Sequence, residues 1–259
     1  MILLSFDIEE FDMPLEYNVQ IPFEEQLQVS TKGTLAILKI LEEQQVKATF
    51  YCTANFALNR PHIIRKIAEQ GHEIASHGFF HSNFEVKHLA ESRKTLEELT
   101  GQIVKGYRMA RMMPVSEKEI ADAGYTYNSS LNPTFLPGRY NNFNKPRTYF
   151  YKEGVLQLPA SVSPVVRFPL FWLSFHNLPL WLYRTLSKWT LKKDKYLNIY
   201  FHPWEFCKID TYKFPFYVTR NTDDKMVKRL TSFIKWAKLK GYAFGTTSQF
   251  IKMISENFT

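Results

Sequence analysis

A chain of 259 residues, 45% hydrophobic and 22% charged, is neither a minimal module nor an intrinsically disordered polymer, and its length fits one large α/β domain. Its 33 Lys and Arg against 25 Asp and Glu, a net charge of +8, favour acidic partners such as phosphates, nucleic acid or an anionic membrane without choosing among them. Cys52 and Cys207 stand far apart with no C-x-x-C pair, which argues against a zinc knuckle or a disulfide framework and leaves two free thiols.

The first expected element is a buried strand over residues 2–6, an apolar run that meets Asp7, Glu9 and Glu10 at its C-terminal end. Thr31 reads as the cap of a helix over 33–43, where Leu35, Leu38, Ile40 and Leu41 recur at near-helical spacing, and a strand over 48–53 completes a strand-helix-strand unit. A helix over 61–70 stops at Gly71, a short buried strand follows at 72–76, and a further helix spans 89–99. Ser116 caps a helix through Ala123, a strand resumes at 125–127, and 133–147 is loop-like in its Pro, Gly and Asn content. A strand over 197–201 ends at His202, an amphipathic helix covers about 223–240, and a last strand lies at 242–246. Alternating strands and helices, with polar residues placed just after strands, predict a parallel α/β barrel or open sheet whose site lies at the strands' C-terminal ends. No apolar run reaches the roughly 18 residues of a spanning helix. The first residues lack the basic start and apolar stretch of a secretion signal, so a cytoplasmic location is expected, with membrane association as a variant of it.

The chemistry concentrates in S-H-G-F-F-H, where His77 and His81 are spaced so that on a helical turn both imidazoles face one side and can share a metal. An isolated H-x-x-x-H is more often a pair of surface or hydrogen-bonded histidines. Here Asp7, Glu9 and Glu10 end a strand of the same expected sheet, and two imidazoles with one carboxylate leave positions open for water and substrate.

The ordered set F-D-I-E-E at 6–10, A-T-F at 48–50, G-H-E-I-A-S-H at 71–77 with His81, G-Y-R at 106–108 and Y-F-H-P-W-E at 200–205 resembles the polysaccharide deacetylase family, also called the NodB-homology or carbohydrate esterase family 4 group. The resemblance runs from the first strand to at least Glu205. It implies a distorted (β/α) barrel, as a single catalytic domain over 1–259, that removes N-acetyl or sometimes O-acetyl groups from sugars with a bound metal and water. By motif, Asp7 matches the general base, and His77 and His81 match the metal-binding histidines. Glu9 is the expected carboxylate ligand, with Glu10 second. Arg108 matches the arginine that orients the base, and His202 the histidine that protonates the leaving amine. Asn128 stands where the family carries an Asp that supports this histidine; it can orient an imidazole but not neutralise it, and Glu205 is a candidate electrostatic substitute. Met109, Ala110 and Arg111 follow Arg108 where members usually have Pro. The implied cofactor is a divalent metal, zinc first, with cobalt, nickel or iron as alternatives.

The aromatic segment 168–183, followed by Arg184, Lys188, Lys192 and Lys193, has the composition of an interfacial helix on anionic lipid. A buried cover on the barrel, or an oligomer contact, is the favoured alternative. His72 is expected to be a hydrogen-bonded strand residue, His62, His88 and His176 have structural or exposed roles, and Trp204 either stacks on a sugar or fills the core. No nucleic-acid-binding motif is present. The expected function is deacetylation of an acetylated amino sugar or polysaccharide precursor, lipid-linked if the aromatic segment lies on a membrane, in cell-surface polysaccharide or glycolipid synthesis. The alternatives are a carbohydrate-binding relative without turnover and an amidohydrolase acting on a non-sugar C–N bond.

Overall fold

Strand β1 (Ile2–Ile8) is buried along its whole length and pairs in parallel with a neighbour on each side. In the computed structural model, which describes residues 1–256, β1 belongs to an eight-stranded curled sheet of order β10-β1-β2-β3-β4-β5-β9-β8. The other strands are β2 (Thr49–Cys52), β3 (Glu73–Ser76), β4 (Gly106–Tyr107), β5 (Tyr127–Asn128), β8 (Phe150–Lys152), β9 (Val155–Gln157) and β10 (Leu197–Phe201), all parallel except the β8–β9 hairpin. This is the expected distorted barrel, left open between β10 and β8. A small antiparallel pair, β6 (Phe135–Leu136) and β7 (Tyr140–Asn141), stands apart from it.

The two-residue period of the strands sorts inside from outside. Ile2, Leu4, Phe6 and Ile8 join Phe50 and Cys52 in the core beneath the helices, whereas Leu3 packs with Tyr51, Ala75, Tyr127 and Leu156 on the other face. Ser5 and Asp7 share that inner face with Leu3, so the pleat carries Asp7 to the interior at the strand's C-terminal end. Helix α11 (Thr247–Glu256) plugs the opposite end with Phe250 and Ile254, and Ser248 N–H at its start donates to Glu73 Oε2 at 3.0 Å. One end is filled, and chemistry is left to the other.

The remaining helices are α1 (Met13–Glu16), α2 (Phe23–Glu43), α3 (Ala54–Asn59), α4 (Pro61–Glu69), α5 (Lys87–Thr100), α6 (Glu117–Asp122), α7 (Trp172–Asn177), α8 (Leu180–Asp194), α9 (Phe216–Thr219) and α10 (Asp224–Leu239). Helix α2 starts at Phe23, not after Thr31, which lies inside it. Its early turns bury Gln26, Ser30, Gly33 and Thr34 with Leu27 as their one large apolar residue, a set without an apolar rhythm, because the helix packs closely on the 3-10 turn Pro203–Phe206. A Cβ at Gly33 would overlap the Pro203 carbonyl oxygen. The strand expected at 242–246 reduces to a single bridge between Ile2 and Phe244, and the loop at 133–147 contains the β6–β7 hairpin.

The aromatic segment divides. Helix α7 is a buried cover, with Phe175 and His176 inaccessible to solvent. Helix α8 buries Tyr183, Ser187, Thr190 and Leu191 but leaves Trp181 and Trp189 exposed. Among the described residues no helix is long and apolar enough to cross a membrane.

Candidate metal centre and active site

Glu9, His77 and His81, all buried, place one ligand atom each within 4.8 Å of one another. The two histidines do not share a helical face as their spacing suggested. They lie in a loop after β3 that Gly78 turns with a φ of +89°, a conformation that glycine adopts without strain. His77 Nδ1 donates to the Arg108 carbonyl oxygen (2.8 Å), and His81 Nδ1 donates to Asp12 Oδ1 (2.7 Å). Both Nε2 atoms then point at one oxygen, Glu9 Oε2, at 3.1 and 3.0 Å.

This arrangement tests whether the residues suit a cation. With their protons held on Nδ1 by acceptors that cannot donate, the neutral imidazoles present lone pairs to a carboxylate oxygen, which is repulsive unless something positive lies among them. A single proton can serve only one of the two contacts. A metal ion serves both, and outward Nδ1–H bonds of this kind are the usual support for metal-binding imidazoles. Without an ion, a proton on His81 takes part of that place: burial opposes it, but Glu9 and Asp12 outweigh burial and raise the imidazole to about 10, and the resulting positive charge holds the buried Glu9 carboxyl well below the usual range. The donor set therefore fits a divalent cation.

Glu10 is turned elsewhere. Its oxygens accept from Thr53 Oγ1 (2.9 Å) and from the Asn55 amide, and burial leaves its carboxyl above the ordinary value despite these bonds.

Beside this cluster, Arg108 Nη1 contacts Asp7 Oδ1 at 2.6 Å, with both side chains excluded from solvent. Arg108 is fixed by Ser5 Oγ, Ser129 O and Ser129 Oγ at 3.0–3.1 Å, and its guanidinium lies 3.9 Å above the Tyr51 ring. The second Asp7 oxygen is 3.9 Å from His202 Nε2. His202 Nδ1 donates to Glu205 Oε1 (2.9 Å), and His176 Nε2 donates to Glu205 Oε2 (2.8 Å). Burial disfavours the His202 imidazolium, but the Glu205 hydrogen bond and the charges of Glu9, Glu205 and Asp7 raise its pKa.

The Polysaccharide deacetylase family profile matches residues 17–127. The peptidoglycan-N-acetylmuramic acid deacetylase PdaA of Bacillus subtilis is 26% identical over 72 residues, 28% of this chain and 27% of that protein. The chitooligosaccharide deacetylase of Sinorhizobium fredii is 34% identical over 79 residues, 30% of this chain and 34% of that protein. These matches span about a third or less of the relatives' length. A Mycobacterium smegmatis structure that carries the name polysaccharide deacetylase superposes with a TM-score of 0.70 at 20% identity, over 99% of this chain and 90% of its own. PuuE allantoinase follows at 0.65 and 20%, over 96% and 87%. At this identity the superpositions carry the fold, and they extend it over nearly the whole chain. The likeness to polysaccharide deacetylases thus rests on residues 17–127 in sequence and on nearly the whole chain in fold.

Against the family pattern, Asn128 does not meet His202. Its amide donates to Gln157 Oε1 (2.8 Å), and its oxygen accepts from Ser130. The expectation that Asn128 would orient the imidazole is corrected by these bonds, which commit its side chain to Gln157 and Ser130, while Glu205, three residues from His202 on the same tight turn, takes the place. Asp12 and His176 were not singled out as site residues in the sequence. Asp12 lies just past the acidic strand end and could have been flagged as another carboxylate there; nothing local marks His176. Arg111, at a φ of +57°, ties Asp12 and Glu16 together. Trp204 is buried and stacks on His202, with centroids 5.4 Å apart, while lining the cavity above the site.

Proposed function

We propose that this chain is a metal-dependent hydrolase, acting as one catalytic domain, that removes the acetyl group from an N-acetylated sugar during synthesis of a cell-surface polysaccharide or glycolipid. The observation that carries the reading is the convergence of Glu9, His77 and His81 on one point, with Asp7–Arg108 and His202–Glu205 on its flank. Glu9, His77 and His81 would hold the metal, zinc first. When bound, such an ion polarises the amide carbonyl and makes water a better nucleophile.

The chain's own residues supply the proton transfers. Arg108 occupies Asp7 Oδ1, so the free Oδ2 accepts the proton of the attacking water. His202 Nε2, 3.9 Å from that oxygen, donates a proton to the nitrogen as the C–N bond breaks, and acetate leaves with the water oxygen. Glu205 keeps His202 in the tautomer and charge state that can donate. This supplies the charge that Asn128 cannot, and so favours turnover over sugar binding alone.

The test is acetate release from a panel of N-acetylhexosamine derivatives by zinc-loaded protein, beside allantoin and simple ureido amides. Acetate release that is lost in His77→Ala supports the reading. Sugar binding with no acetate under zinc, cobalt, nickel or iron would leave a binding protein, and turnover of the ureido amides alone would leave an amidohydrolase of another substrate class.

A further inference from the structure

The cavity above the metal centre, about 290 Å3, is walled by segments tied to one another in a circuit. Arg111 joins the turn at 109–112 to α1 through Asp12 (3.2 Å) and Glu16 (3.0 Å). Just past α1, Tyr17 packs edge-on against Phe214 at 5.2 Å, two residues before α9. Asn177, at the end of α7, donates to the Tyr217 carbonyl oxygen (2.8 Å). Arg167, leading into α7, accepts at its carbonyl from Thr134 Oγ1 (2.8 Å), which ties in the segment that carries the β6–β7 hairpin. Met109 N–H donates to Ser130 Oγ (2.7 Å) and returns the circuit to its start. Met112, Met13, Tyr217, Leu173 and Leu136, one from each segment, line the cavity.

We read this tied wall as a well and not a groove: it would have to open on two sides to pass a polysaccharide, whereas a single pyranose can enter end-on. The volume agrees, lying just below the roughly 300–1,000 Å3 of small-molecule pockets. Trp172, Trp204, Tyr140 and Tyr200 offer rings to a sugar face.

Arg139 also lines the cavity, from the connection between β6 and β7. It is exposed, its charge reaches Tyr17 and Tyr140, and among the described residues no carboxylate lies within ion-pair distance of it. Arg111, by contrast, is occupied by Asp12 and Glu16. Arg139 is thus a cation at the well without a protein counter-charge, with the fork geometry that suits an oxyanion.

Building on the deacetylase reading, we propose that the substrate is the single terminal N-acetyl sugar of an anionic glycoside, the sugar filling the well and a phosphate ester or carboxylate on its aglycone meeting Arg139. An internal residue of a polymer is not a substrate.

The test uses the full zinc-loaded chain with chitotetraose, N-acetylglucosamine 1-phosphate, an N-acetylglucosaminyl glucuronate and the neutral methyl glycoside. Mass-spectrometric sequencing is expected to place the free amine of chitotetraose at a terminal unit only. Arg139→Ala is expected to raise KM about tenfold for one or both anionic sugars, the pair telling phosphate from carboxylate, and less than twofold for the methyl glycoside. Free amines at internal units, or an equal rise for charged and neutral sugars, overturns the proposal. If no sugar yields acetate, the deacetylase reading falls separately. Quenching of tryptophan fluorescence by the same sugars then decides the well: a tenfold affinity loss in Arg139→Ala for an anionic sugar supports it, and unchanged affinity refutes it.

Discussion

Glu205 Oε1 lies 2.9 Å from His202 Nδ1 and also accepts the His202 backbone N–H at 2.6 Å. Its other oxygen takes the Nε2 proton of fully buried His176, so burial of the carboxylate is offset by donors, which hold its pKa below the ordinary value. His202 must be protonated to act as the acid, so activity should fall as pH rises through its raised pKa. Glu205→Gln removes the charge that does the raising. The falling limb of the pH–rate profile should move to lower pH, with kcat reduced by about 10²-fold, within the range for loss of a general acid. An unmoved limb would show that Glu205 does not set the His202 pKa.

Asn128 offers the contrasting substitution. Because its amide is engaged by Gln157 and Ser130, Asn128→Asp introduces the residue type that the sequence resemblance implies here without placing a charge on His202. The pH–rate profile should keep its shape, and kcat should change less than about fivefold, a small fraction of a general acid's contribution. A gain of an order of magnitude or more would mean that the Asp position still reaches the catalytic histidine.

Metal affinity separates the acidic residues at the end of β1. Asp12 holds His81 Nδ1 and no ligand atom of its own is in the cluster, so Asp12→Ala should weaken zinc binding about 10–100-fold in a chelator competition. Glu10→Gln should leave zinc affinity unchanged, because Glu10 faces Thr53 and Asn55. Equal losses in the two variants would mean that Glu10 reaches the ion.

Much of this was legible in the sequence, though not always for the right reason. The buried strand β1 was, because an apolar run ending in acids is a local pattern; so was the candidacy of His77 and His81 as ligands. Their convergence, however, comes from the turn at Gly78 and not from a helical face. Glu9 was set ahead of Glu10 only by the resemblance, because strand parity stops at Ile8 and the direction of each carboxylate is set by residues some 40 to 70 positions away. The early turns of α2 were invisible because they pack polar and small residues against the Pro203–Phe206 turn. His176 reaches Glu205 across 29 residues, and no spacing rule reports such a contact.

The Asp7–Arg108 pair allows fold and chemistry to be separated. Both groups are buried, so Arg108→Leu strands a carboxylate in the interior and should cost about 3–5 kcal/mol in urea unfolding. Asp7→Asn keeps an acceptor for Arg108 and should cost less, while removing the proposed base and nearly all turnover. Substantial activity in Asp7→Asn would assign the first proton transfer to another group.

His72 gives stability a pH dependence away from the active site. Its Nδ1 accepts the Ala48 N–H at 3.3 Å, its ring packs 5.1 Å from Phe50, and burial, helped by the Lys47 charge, lowers its pKa to about 4. In the unfolded chain the imidazole returns to about 6.5. Between these values the unfolded state binds more protons, so the contribution of neutral His72 is complete above about pH 6.5 and is lost as pH falls towards 4. At pH 5 the loss is about 2 kcal/mol relative to pH 7. His72→Asn keeps an acceptor for Ala48 but does not titrate. Urea unfolding of both proteins at pH 7 and pH 5 should therefore show the wild type losing about 2 kcal/mol more than the variant. Parallel losses would show that the His72 pKa is not depressed by folding.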